Sequence, residues 1–145
     1  MMAFTVLVLH LLGASVWVGG HLILLFGVLP GALKAHAPSI ILTFEKRYER
    51  IGIPALLLQV VSGLWLAHRY VPGILDAFDF SDRLHSIVAW KLILLGATVV
   101  IGAHARLRII PRLTPERLPL MALHVAFITT IAVAMLIVGA AVRAF

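Results

Sequence analysis

Four apolar runs divide the chain, at residues 3–29, 51–68, 84–105 and 118–142, and the shorter stretches between them hold most of the charged residues. Each run is near the ~20 residues that a helix needs to cross a bilayer. Short connections make consecutive helices antiparallel, so the pattern predicts an all-α, integral-membrane, up-down four-helix bundle, a single transmembrane domain over 1–145. Pro30-Gly31 is expected to end the first span and Pro72-Gly73 to follow the second. Pro54 falls in the first turn of the second span, where its missing N–H costs little, and Pro111, Pro115 and Pro119 punctuate the third connection.

The charged positions refine this layout. Glu45, Lys46, Arg47, Glu49 and Arg50 lie between the first two runs and read as a solvated helix start, because their i,i+4 pairs are of like sign. Lys34, Lys46, Arg47, Arg50, Arg106, Arg108, Arg112 and Arg117 share the side of the 1–2 and 3–4 connections, whereas Arg69, Arg83 and Arg143 share the other. Eight against three in short loops predicts that the first side is cytoplasmic, with both termini outside, as expected for a multi-pass protein of the cytoplasmic membrane. The first run has no basic stretch ahead of it and no small-residue cleavage site, so it is expected to be a span and not a signal peptide.

Composition adds exclusions. The chain is 62% hydrophobic with a mean hydropathy of +1.09, which a water-soluble surface does not tolerate, and lipid is therefore its first partner. With no cysteine, thiolate metal sites, disulfides and covalent c-type haem are excluded. The net charge of +6 gathers at span ends, which fits head groups and not nucleic acid. A homo-oligomer is neither required nor excluded by this pattern.

Seven histidines in so apolar a chain call for an explanation, since ionisable groups inside spans are costly. His10 and His21 are eleven residues apart, on one helix face to within about 20° and about 16 Å apart along the axis. Trp17 shares that face, and Gly13, Ala14, Gly19 and Gly20 leave room for a helix or a flat cofactor. Threading the spans alternately puts His10, His68 and His85 in the outer half and His21, His104 and His124 in the inner half. His36 reads as a solvated loop residue, and His85, beside Asp82 and Arg83, as an interfacial anchor or a proton carrier.

Neutral imidazoles on facing helices ligate haem iron in bundle cores, and two depths suit two b-type haems. The expected clamps are His10 with His68 and His21 with His124, with His104 and His85 as substitutes and Trp17 lining the pocket. That makes the chain a candidate b-type cytochrome of electron transfer or redox chemistry, with a donor and an acceptor that the sequence does not name. Lys91, about seven residues inside the third span, either snorkels outward or pairs with a propionate or an anionic substrate, and Trp90 beside it reads as an interface ring.

His10 with Trp17 and Gly20, Phe44-Glu45-Lys46-Arg47-Tyr48 leading to Pro54, Gly63-Leu64-Trp65-Leu66, and Trp90-Lys91-Leu92 together resemble a membrane superfamily. It holds the HemJ-type protoporphyrinogen oxidases and the CopD-type copper-resistance domains. Trp17-Val18-Gly19-Gly20 is closer to the CopD-like branch, and the Asn-Glu-Val-Pro motif of the HemJ branch is missing from the last span. The HemJ resemblance implies a porphyrin-oxidising enzyme with one haem at His10 and Lys91 on a substrate carboxylate. The CopD resemblance implies copper as cargo, with the outer histidines as a three-nitrogen site; Met121 and Met135 are the only methionines within spans.

Overall fold

Helix α1 covers Met2–Leu22, widens into a π-helical turn over Ile23–Val28 and resumes as α2, Leu29–Ala35, so a single helical rod runs from Met2 to Ala35 in this computed structural model, which describes residues 1–142. Only His36 and Ala37 separate it from α3, Pro38–Tyr70. After a 3-10 segment, Ile74–Asp79, come α4, Arg83–His104, its π-helical continuation Ala105–Ile109, and α5, Leu118–Ala140. Among the described residues, four helical stretches are long and apolar enough to cross a membrane, and the protein is an all-α, multi-pass membrane bundle. Large apolar side chains such as Phe26, Val61, Val100 and Phe127 point outward, as lipid-facing positions do. Arg143 lies outside the described residues.

Three local expectations are corrected. Pro30 does not end the first span: it sits in the first turn of α2, and the wider π-turn ahead of it frees the carbonyl that its ring would otherwise strike. The rod ends instead at His36, whose φ of 48° is left-handed. Pro54 lies inside α3 and not in a first turn, because that helix already starts at Pro38. The early start is driven by packing, since Ile41 is fully buried against Leu24, Leu29, Ala32, Ile109 and Leu118. The charged string 45–50 is therefore mid-helix, and Glu45 and Glu49 turn inward while Lys46, Arg47 and Arg50 stay exposed.

These contacts form one core cluster at the α2 end of the bundle. A second, smaller cluster of Val71, Ala77, Val88 and Ala89 closes the opposite end. Between the two plugs the bundle is hollow.

Asp82 caps α4: its carboxylate accepts the His85 N–H at 2.9 Å and lies 2.9 Å from His85 Nδ1. The backbone N–H bond, with help from the imidazole, holds its pKa below the ordinary value. A depressed folded-state pKa means the cap is fully effective above the ordinary value of about 4 and fails as pH falls through the depressed one. Amide exchange at His85 and Ser86, corrected for intrinsic rates, is expected to stay slow at neutral pH and to accelerate in acid, whereas Asp82→Ala exchanges fast at both.

Candidate functional site

The α1–α3 seam sets the register of everything inside. A Cβ on Gly13 would stand 2.7 Å from the Ala55 carbonyl oxygen and 2.9 Å from Gln59 Cβ, so only glycine allows this approach. One helical stretch inward, the Tyr48 ring fills the space left by Gly20 and Gly52, and its hydroxyl donates to the Val16 carbonyl at 2.9 Å. The small residues around Trp17 thus admit a second helix at Gly13 and a tyrosine ring at Gly20, while Gly19 faces open space.

This register brings His10 opposite Gln59, Ser62 and Gly63. Its Nδ1–H donates to the Gln59 carbonyl at 2.9 Å, with Ser62 Oγ at 3.2 Å, and its ring lies over Gly63. The His21 Nδ1–H donates to the Trp17 carbonyl at 2.8 Å, and the two rings are 4.4 Å apart. The His124 Nδ1–H donates likewise to the Leu120 carbonyl at 2.9 Å. A carbonyl only accepts, so in all three the proton sits on Nδ1 and Nε2 carries the lone pair, the state in which imidazole ligates metals. His104 Nδ1 reaches His124 Nε2 at 3.0 Å, which joins α4 to α5 and leaves His104 Nε2 as that pair's free lone pair.

Two adjoining cavities occupy the hollow. The one nearer the N-terminus, called outer for its place on the side that the sequence predicts to be external, is about 560 Å³ and is lined by His10, Gln59, Lys91, Met135 and Gly139. The inner one, about 380 Å³, is lined by His21, Glu45, Glu49, Arg106, Met121 and His124. Trp17, Leu56, Val60, Leu95 and Thr98 border both, so only this collar separates them. Each cavity therefore holds an imidazole and a thioether. At the inner one, Arg106 donates to Glu49 in an ion pair that links α3 to the end of the third span.

The other candidates fall elsewhere. His68 is exposed and lines neither cavity: the register places it more than one turn beyond the α3 residues that face His10, so the structure does not bring His10 and His68 together. His85 also lines neither cavity and is engaged with Asp82 at the start of α4. His36 is exposed at a helix end. Lys91 is half-buried, with its Nζ packed across on α5 where a Cβ on Gly139 would come within 2.9 Å of it. Among the described residues, no three His, Asp or Glu side chains converge on one point.

The family model for Copper resistance protein D, CopD, matches residues 42–143. The chain belongs to the CopD family. It is thus a copper-related membrane protein, and membership favours the copper reading of the sequence over the haem reading. The CopD match takes in Lys91, His104, Met121, His124 and Met135, while His10, Trp17 and His21 precede it. No curated protein and no solved structure matches the chain.

Several contributors were not singled out from the sequence. Tyr48 had a signal in Gly52, four residues on, which leaves a ring-sized gap on the same face. Gln59 is the chain's single glutamine, in the middle of an apolar run. Glu49 and Arg106 had none, because their pairing depends on α3 starting at Pro38.

Proposed function

We propose that the protein carries copper ions through the membrane, held first in the outer cavity by His10 and Met135 and then in the inner cavity by His21 and Met121, with the free Nε2 of the His104–His124 pair receiving them at the far end. The supporting observation is the repeated donor set: each cavity offers a neutral imidazole with a free Nε2 and one of the two intraspan methionines. Thioether and imidazole are soft and borderline donors, suited to Cu(I), and neither needs to lose a proton on binding. Of the two cavities only the inner one has carboxylates, where Glu49 is paired with Arg106 and Glu45 is left to offset the charge of an arriving cation. By the distribution of basic residues, the inner cavity faces the cytoplasm.

Purified protein in vesicles containing a copper-responsive fluorophore tests this. Addition of Cu(I) outside is expected to raise the signal well above protein-free vesicles, with inhibition by Ag(I) and not by Zn(II). Uptake no faster than in protein-free vesicles, together with no copper retained by the protein, would overturn the proposal.

A further inference from the structure

The outer cavity contains groups that a cation path leaves unused. Lys91 is a positive charge there, the wrong sign for copper, and its Nζ makes no hydrogen bond or ion pair among the described residues. Gln59 Oε1 is buried without a hydrogen-bond partner, although it borders the same space. His10 Nε2 is a further acceptor, because Nδ1 holds the proton, and it is one that the copper path shares. A buried polar atom left unpaired is costly, so Gln59 Oε1 calls for an occupant that donates to it, and Lys91 and His10, which line the same cavity, are that occupant's further partners.

The occupant's chemistry follows from the three groups. Lys91 needs an acceptor, while Gln59 Oε1 and His10 Nε2 need O–H or N–H donors. The rest of the wall is apolar and includes Leu11, Leu64 and Leu136, which are also exposed on the outer surface, so the cavity reaches the lipid-facing side of the bundle. At about 560 Å³ it has the size of a small-molecule pocket. A fatty acid carboxylate supplies acceptors alone and leaves Gln59 unsatisfied. A simple membrane alcohol supplies one hydroxyl for three groups. A phospholipid head adds charge and bulk that a mainly apolar wall does not hydrate.

We propose that the outer cavity binds the head group of a membrane-soluble quinone. The reduced head donates its hydroxyls to Gln59 Oε1 and His10 Nε2 and accepts from Lys91, so it meets all three groups, whereas the oxidised head, with acceptors alone, meets only Lys91 and binds more weakly. This inference concerns binding alone and does not rest on copper being the cargo.

The test uses the full-length protein in phosphatidylcholine nanodiscs, with retention of a radiolabelled short-chain benzoquinone and its quinol counted above that of empty discs. An alkylbenzene of equal size without oxygen serves as the control probe. One quinol per protein is expected, with the quinone held more weakly and the oxygen-free probe held at least tenfold more weakly than the quinol. Gln59→Leu is expected to weaken the quinol about tenfold and Lys91→Met the quinone about tenfold, the cost of one unpaired buried partner, with His36→Ala unchanged. Equal retention of the oxygen-free probe by the unaltered protein would overturn the proposal without recourse to any variant. Displacement of the quinone by equimolar phosphatidylglycerol would also overturn it and assign the cavity to a lipid head group. Copper uptake by quinone-free vesicles is scored separately, so either reading fails alone.

Discussion

Alanine at both His10 and His21 is expected to slow Cu(I) uptake by at least ten- to a hundredfold, the range in which even outer-shell changes at metal sites act. The two imidazoles occupy successive cavities, and each has its Nε2 free because a backbone carbonyl holds Nδ1–H. Neither side chain carries much of the fold: His21 bonds only within its own helix, and His10 gives up the single Nδ1–H that it shares between Gln59 and Ser62 of α3, worth about 1 kcal/mol. Helix content by circular dichroism should therefore stay unchanged while transport collapses. His36→Ala is the matched control, being an exposed histidine at a helix end. Unchanged uptake in the double variant would remove the imidazoles from the path. Met121→Leu with Met135→Leu conserves volume and removes only sulfur, so it should lower Cu(I) uptake with little effect on stability.

Leucine at Gly13 is expected to prevent assembly of the bundle. Its first side-chain carbon alone would press on the Ala55 carbonyl oxygen at 2.7 Å and on Gln59 at 2.9 Å, and backbone cannot swing aside as a side-chain end can. The α1–α3 seam would have to open, at a cost at the upper end of overpacking penalties, about 3 kcal/mol or more. Thermal melting in detergent should shift down sharply, and His10 would lose its partner on α3 along with the seam. Gly19→Leu is the informative comparison. Nothing lies within 4 Å of its missing Cβ, so the same change six residues away should be nearly neutral. Equal damage at both positions would show that added side-chain bulk anywhere on this helix, not the seam, decides, since leucine is a better helix former than glycine.

Those two glycines illustrate what a single sequence shows. Apolar run length revealed the number of spans and their alternation, because bilayer thickness imposes it. It did not reveal where rods end: Pro30 and Pro54 look like punctuation, yet both are absorbed, one by a π-turn and the other inside α3. Depth along a rod was legible for His10 and His21, which share one helix and need only its rise per residue. Depth between rods was not, since it depends on the seam at Gly13, and a shift of a few residues there separates His68 from His10. The haem expectation rested on such a cross-helix match. Lys91 and the two methionines were visible as anomalies, but their shared walls with the histidines became apparent only with the cavities.

The π-turn at Ile23–Val28 has a mechanical consequence. The α1 positions that face α3, Gly13 and Gly20, are seven residues apart, two α-helical turns, and Leu24 follows four on, but across the π-turn the next deeply buried residue is Leu29, a step of five. One surplus residue has rotated the lower third of the rod by about 100° relative to the upper part. A uniform pitch would swing Leu29 and Ala32 out among the acyl chains and strip the plug from beneath the inner cavity. The phase slip lets a single rod keep two appointments, with the imidazole-lined hollow above and with the apolar stopper below.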